Sequence, residues 1–343
     1  MTFICNDDVD SCALLEIVLD CSELLVTYDH HAVAFAHGEV SQPGVLAKDI
    51  EKGEARSKEL AEITGQFILR RTADILAKYL PPKTEYAIFC RPTDAQASVY
   101  RSVLSSPVFN AVLGSPEASL QLIDLLKKVC NSPSLLNSRT SDEGPSNQTV
   151  SALLADIPPW LLKSPGASGK LQVLDSLLHR LRTTTQEKVV IISNWTSTLD
   201  ILGNLLTALA YPFLRLDGQT PQSKRQGLVD KFNRTPASTC FALLLSAKAG
   251  GQGLNLVGAS RLVLFDVDWN PATDQQAMAR IHRDGQTRPC WIYRLFTKGA
   301  IDEKIFQRQL TKQGLAESVV DGKSSVQGFS GEELRDLFRL DEW

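Results

Sequence analysis

Phe265–Gln286 reads FDVDWNPATDQQAMARIHRDGQ, a junction at which a strand hands the chain to a helix. The apolar run Arg261–Phe265 leads into Asp266, Asp268 and Trp269. Asn270 then supplies a cap, and Pro271 a first helical residue at a position where its missing N–H is not needed. On a helix starting there, Gln276, Arg280 and Arg283 stand at i, i+4 and i+7, so one face carries an amide and two guanidiniums over about two turns. Guanidinium is always charged and grips phosphate oxygens with a planar fork, so the face suits a polyphosphate. An arbitrary QxxxRxxR is more often a solvated helix face, and the neighbouring residues decide between the two readings.

Outward from this stretch, strand and helix patterns alternate. A helix over Leu171–Leu181 precedes the apolar strand Val189–Ser193, and Thr196–Ala210 returns to helical period. Phe213–Leu216 is a short strand. Asp217–Thr220 turns, with Thr220 expected to cap a helix that runs from Pro221 to Phe232. Phe241–Leu245 is nearly all apolar, as in a sheet covered on both faces. The strand Cys290–Phe296 and a helix from Ala300 to about Lys312 follow the opening stretch. Repeated βα units predict an α/β fold with a parallel sheet flanked by helices, whose ligands bind at the carboxyl ends of the strands.

One such end carries SAKAGGQGLNL, Ser246–Leu256. Three glycines and a hydroxyl let backbone N–H groups approach phosphate closely, and Lys248 adds charge, although a plain tight turn has the same composition. Further upstream, GASGK (166–170) invites a P-loop reading. The spacing is too short for GxxxxGK[ST], no strand precedes it, and Leu171 replaces the hydroxyl that would hold magnesium.

The opening stretch resembles motif VI, with the preceding DWNP element, of the SWI/SNF-type DNA translocases in helicase superfamily two. Gln276, Ala277, Arg280, His282, Arg283, Gly285 and Gln286 match the pattern QAxxRxHRxGQ. Ser246–Leu256 is similar to motif V, Val189–Leu202 to motif IV, and RLDGQT (215–220) to the element after it. FILRRT (67–72), YLPPK (79–83), LKKVCNSPSLL (126–136, with Ser132 where histidine is usual), SGKL (168–171) and the brace-helix segment Gly299–Leu315 complete the likeness. Details such as DVDWNPATDQQAMAR and EKIFQRQL point to the Rad-fifty-four-like, recombination-repair branch.

The resemblance implies the C-terminal RecA-like lobe of an ATP-dependent translocase on double-stranded DNA, preceded by a helical protrusion. It implies catalytic roles for Arg280, Arg283 and Gln276 toward an ATP held with Mg2+ mainly by the other lobe, and puts Gly251, Gly253 and Asp284 beside the nucleotide. DNA contacts fall to Ser246, Lys248, Gly250, Leu254, Asn255, Trp269, Thr196 and Thr220. Trp195 reads more readily as core than as a stacking residue. Arg70 and Arg71 suit either a DNA contact or a solvated face. The expected partners are duplex DNA, the first RecA-like lobe, and a recombinase filament or chromatin; the expected address is nuclear.

Domain boundaries follow. Residues 1–42 match nothing, and His30, His31 and His37 within them have no regular element to gather them into a metal site. Residues 43–136 read as the lobe-linking protrusion, 137–168 as a largely mobile Ser, Pro, Asn and Gly-rich linker with apolar islands, 169–316 as the lobe, and 317–343 as an extension with a short helix capped by Ser330 and Glu333. No strand-GxxxxGK[ST]-helix unit and no DExH box occurs in the sequence. The chain is therefore expected to be inactive as an ATPase without a first lobe; a non-catalytic DNA- or partner-binding regulator, an incomplete gene model, and a chromatin-remodelling fragment are the alternatives.

Composition agrees with a globular protein: 343 residues, 43% hydrophobic and 22% charged, enough for about two domains. The net charge of −3 gives no global pull toward nucleic acid, so DNA binding must come from local patches. Seven cysteines without a CxxC pair fit reduced thiols better than a disulfide framework or a zinc site. No apolar run is long enough to span a bilayer and no secretory start is visible, so the setting is expected to be intracellular, with no membrane partner.

Overall fold

Val189–Ser193 and Ala242–Ser246 are buried at every position, as strands covered on both faces by helices must be. They lie side by side in a six-stranded parallel sheet. In this computed structural model the described residues are 79–112, 116–139, 152–155, 157–163, 168–248, 253–318 and 336–341. The three histidines, the FILRRT stretch (67–72) with Arg70 and Arg71, Gly250, Gly251, and the pair Ser330 and Glu333 lie outside them.

The strands are β1 (Lys83–Cys90), β2 (Val189–Ser193), β3 (Phe213–Leu216), β4 (Ala242–Ser246), β5 (Arg261–Leu264) and β6 (Cys290–Thr297), in spatial order β1-β6-β5-β2-β4-β3. The helices are α1 (Asp94–Ser105), α2 (Pro107–Val112), α3 (Pro116–Asn131), α4 (Pro159–Lys163), α5 (Gly169–Thr184), α6 (Thr196–Ala208), α7 (Gln222–Arg234), α8 (Pro271–Met278) and α9 (Ile301–Ser318), with a 3-10 turn over Pro133–Arg139. All of these belong to one compact unit, residues 77–310 with 330–343, except 311–318 at the end of α9, which fall in a second unit of residues 1–76 and 311–329. Among the described residues no helix is long and apolar enough to cross a membrane.

Alternation along the strands sorts the core into two layers. Val190, Ile192, Leu243, Leu245, Leu262 and Leu264 meet Val229 and Phe232 of α7, Ala277 and Met278 of α8, and Ile281. On the other face Val189, Ile191, Leu244 and Val263 meet Leu171, Leu174 and Leu178 of α5 and Leu199, Leu202 and Leu206 of α6. The sheet reaches further back in the chain than 169–316. β1, from the stretch read as protrusion, pairs along all of β6, from Lys83 with Cys290 to Cys90 with Thr297. Most of β1 is exposed, as suits an edge strand, which has fewer neighbours to satisfy. The apolar islands of 137–168 are packed, with Leu153, Leu154, Ile157, Leu161 and Leu162 buried.

A buried polar network joins the pieces. Lys170 Nζ donates to Asp302 Oδ2 at 2.5 Å and to Asn131 Oδ1 at 3.1 Å. Asn131 Nδ2 donates to Asp266 Oδ2 at 3.1 Å. Ser168 caps α5 by accepting from Leu171 N, and its hydroxyl donates to Asn131 O at 2.6 Å. Gly169 N donates to Gln96 Oε1 at 2.8 Å, while Gln96 Nε2 reaches the Val129 and Cys130 carbonyls, each at 3.0 Å. A Cβ on Gly169 would lie 1.9 Å from Arg91 O, so only glycine lets α5 start this close to the end of β1. Lys170 is thus an internal cation. Burial is the largest single influence and works against its charge, yet Asp302, with Cys130 and Asp266, together outweigh it and raise its pKa.

Removing one partner of a buried ion pair leaves the other charge uncompensated, at about 3–5 kcal/mol. Lys170→Ala is therefore expected to lose about that much stability in urea titration; an unchanged midpoint would contradict the network's role.

Candidate nucleotide and nucleic-acid site

Because the sheet is parallel, the carboxyl ends of its strands deliver the loops of interest to one edge: Thr196 after β2, Thr220 after β3, Lys248 after β4 and Trp269 after β5. The arginines arrive differently from the expectation. α8 begins as read, Asn270 Oδ1 accepting from Ala272 N at 3.1 Å with Pro271 next, but it ends at Met278. Arg280 and Arg283 are therefore not on a helical face with Gln276, which is exposed on α8. Beyond Met278 the backbone tightens to three-residue steps, Arg280 N to Ala277 O and Ile281 N to Met278 O, each at 3.3 Å. Ile281 is fully buried in the sheet's core layer, and Gly285 (φ 91°) turns the chain out again. Gln286 closes the turn. Its Nε2 donates to Ala259 O at 2.8 Å and Ile281 O at 3.0 Å, and its Oε1 accepts from Thr287 N and Arg288 N, each at 3.1 Å.

From this turn both guanidiniums reach the glycine-rich loop. Arg280 Nη2 donates to Ala247 O at 3.0 Å, and Arg283 Nη1 donates to Gly253 O at 3.1 Å and Leu254 O at 3.3 Å. Leu256 N returns a bond to Arg280 O at 2.9 Å. Arg280 Nη1 is buried without an acceptor, and burial lowers the guanidinium's pKa. An always-charged group with a spare buried donor calls for an anion. The donor set fits a phosphate.

In the loop, Ser246 is buried in register with Ser193, Lys248 is exposed, and Leu254 is half-buried against the core. Gly253 has φ 98°, a conformation that requires glycine. Asn255 Oδ1 is buried without a donor, while its main-chain oxygen accepts from Asn233 Nδ2 at 2.8 Å. Asp284 is exposed, as is Thr196 at the first position of α6. Trp195 is a packing residue, its Nε1 donating to Asp124 Oδ1 at 3.2 Å with Lys127 Nζ 5.1 Å from the ring centre. Thr220 does not cap α7. The helix starts one residue later than read, after Pro221, and the Thr220 hydroxyl turns inward to accept from Asp217 N at 3.1 Å.

Comparison with known proteins agrees with this arrangement. Residues 169–285 match the model of the helicase conserved C-terminal domain, and 22–135 that of the SNF2-related domain, so the family likeness begins earlier than residue 43, within the stretch read above as matching nothing. The chain is 47% identical to DNA repair protein rhp54 of Schizosaccharomyces pombe over 307 residues, and 50% identical to the Homo sapiens DNA repair and recombination protein RAD54B over 321. These alignments cover 86% and 88% of the chain and 35% of each relative, so the chain spans about a third of their length. The solved SWI2/SNF2 ATPase core of Sulfolobus solfataricus in complex with dsDNA superposes with a TM-score of 0.57 at 27% identity, covering 87% of this chain and 59% of that one. The chain belongs to the SWI2/SNF2 family.

Beneath the site of this SNF2 chain lie two carboxylates that sequence reading left unassigned. Asp266 Oδ1 accepts from Asn194 N and Nδ2, each at 2.8 Å, and Oδ2 accepts from Ser193 Oγ. Burial raises its pKa despite these donors. Asp274 accepts from Asp268 N at 3.0 Å, Arg294 Nη2 at 3.1 Å and Gln309 Nε2 at 3.2 Å. Gln309 Nε2 also holds Asp268 O at 2.7 Å. The second cluster ties the DWNP loop to β6 and α9. Its signal was present in the spacing: Asp274, Ala277, Met278 and Ile281 share one apolar face, and an acid there must be paired.

Asp217 gives a pH test. Burial raises its pKa, but hydrogen bonds from Arg215, Gln219 N and Thr220, together with the Arg215 charge, win and lower it. A depressed carboxylate contributes stability in full above its unfolded pKa of about 4, and loses it as pH falls through the lower folded value. Asp217→Asn is expected to flatten the acid limb of stability against pH; an unaltered limb would show that the turn carries no such linkage.

Proposed function

We propose that this chain acts as the second RecA-like lobe of an ATP-dependent translocase on double-stranded DNA, in nuclear DNA repair and homologous recombination. The observation that carries the reading is the turn from which Arg280 and Arg283 both reach the glycine-rich loop, leaving Arg280 Nη1 buried and without an acceptor. That geometry couples a phosphate-seeking group directly to the loop that meets DNA. The names of the relatives support the repair role, and the archaeal core was solved on dsDNA.

When bound, ATP supplies the phosphoryl group that is transferred to water. Arg280 and Arg283 would face its phosphates as fixed charges, and Gln276, Gly251, Gly253 and Asp284 keep the nucleotide roles that the resemblance gives them, while Mg2+ and most phosphate contacts would belong to the first lobe. Such arginine fingers contribute about 10³ to 10⁵ in rate. Lys248 and Thr196, both exposed at the strand ends, would meet the DNA backbone first. Ser246, Leu254, Asn255, Thr220 and Trp269 shape the loops around them, and Gly250 is assigned with them to the DNA contact by the resemblance. A recombinase filament or chromatin is the larger assembly on which such a lobe would act.

Fluorescence anisotropy of the purified chain with duplex DNA tests the reading. Affinity should fall steeply with salt, and Lys248→Ala should weaken binding on all sequences and lower the salt slope by about 1. The chain alone should show no DNA-stimulated ATP turnover. Absence of duplex binding at low salt, or robust turnover abolished by Arg283→Ala, would overturn the proposal.

A further inference from the structure

α7 carries a surface that the site does not use. It packs through Val229 and Phe232, and its opposite side presents Lys224, Gly227, Lys231 and Arg234, all exposed, at i, i+3, i+7 and i+10. Among the described residues none of these three cations is ion-paired. Asp230, the one acid of α7, lies at the flank, and its Oδ1 accepts from Gln226 Nε2 at 2.8 Å. Gly227 is an interior helical glycine, a choice that costs about 1 kcal/mol relative to alanine. Nothing lies within 4 Å of where its Cβ would be, so internal packing does not require it. It leaves a flat step between the cations.

At the far end of the helix two more cations sit on carbonyls. Lys188 Nζ donates to those of Phe232, Asn233 at 3.3 Å and Thr235 at 2.8 Å. Arg288 Nη2 donates to Gly258 O at 2.8 Å, and Gly258 N is held by Asn233 Oδ1 at 2.9 Å. The near end of α7 follows the turn after β3, at the edge where the DNA-facing loops lie. Lys188 is buried and spent on the helix end, so the exposed row that runs from that edge along the side of a chain whose net charge is −3 consists of Lys224, Lys231 and Arg234.

We propose that the outward face of α7 is a second phosphodiester-binding track, which holds duplex DNA beyond the segment met by the strand-end loops. From Lys224 to Arg234 it extends about 15 Å along the helix. Over that length a duplex presents one negative charge per about 1.7 Å of axis, so each cation can displace a condensed counterion. The inference rests on the DNA-binding reading above.

The test compares the full chain with the triple variant Lys224→Ala, Lys231→Ala, Arg234→Ala and with a charge-matched control, Arg101→Ala, Lys163→Ala, Arg180→Ala, each titrated with salt on a duplex longer than the lobe. Polyglutamate serves as a second probe. The α7 triple should bind the duplex at least tenfold more weakly, with a salt slope smaller by about 2 to 3, while the control keeps the wild-type slope. If the wild-type chain binds no duplex, the lobe's DNA-binding function fails and the track with it. If the wild type binds and the α7 triple matches the control, the track alone is refuted. Loss of polyglutamate binding with duplex binding intact would also refute it, in favour of an acidic protein partner.

Discussion

The ammonium of Lys170 is buried, with Asp302 at 2.5 Å and Asn131 at 3.1 Å, and four elements depend on where it sits. Lys170 opens α5, Asp302 lies in the first turn of α9, Asn131 ends α3, and through Asn131 the network reaches Asp266 after β5. A charge so buried persists only if its partners are rigidly placed. The ends of α3, α5 and α9 are thereby fixed beside the carboxyl ends of β2 and β5. Asp266 passes the constraint on, since its oxygens hold Ser193 and Asn194 at the start of the loop before α6.

A second polar cluster does the same for the arginines. Asp274, Arg294 and Gln309 clamp the DWNP loop and α8 to β6 and α9. The chain beyond α8 then has a buried apolar anchor, Ile281, and a side-chain lock, Gln286, with the His282 ring also held against Pro81 O at 2.9 Å. Arg280, just before the anchor, and Arg283, between anchor and lock, are aimed back at the loop after β4. The bonds to Ala247, Gly253 and Leu254 mean that any shift of that loop, such as the one DNA would impose in the proposed function, must be felt by the guanidiniums. The arginine turn and the glycine-rich loop share one set of hydrogen bonds.

Much of this was legible in the sequence because apolar period and cap residues are local. Val189–Ser193 and Phe213–Leu216 fall where alternation and hydrophobicity put them, and Asn270 with Pro271 begins α8 as read. The early end of α8 was not legible. Ala279 and Arg280 are good helix formers, and the helix stops for tertiary reasons: Ile281 is drawn into the core layer, and Gln286 satisfies the carbonyls of Ile281 and Ala259. Thr220 has a capping residue's chemistry, but its hydroxyl accepts from Asp217 N instead. The membership of β1 in the sheet depends on a pairing with β6 across some 200 residues of chain, which no window of sequence can contain. Lys170 in GASGK shows the converse: its local spacing already argued against a P-loop, and the structure gives it an internal partner.

The central claim is that the arginine turn and the glycine-rich loop respond to DNA as one unit. Hydrogen exchange of the full chain with and without duplex DNA measures this most directly, because it reads backbone protection segment by segment. Slowed exchange in both 246–256 and 279–286 is the predicted result. Slowing in 246–256 with 279–286 unchanged, or no change in either, would contradict it.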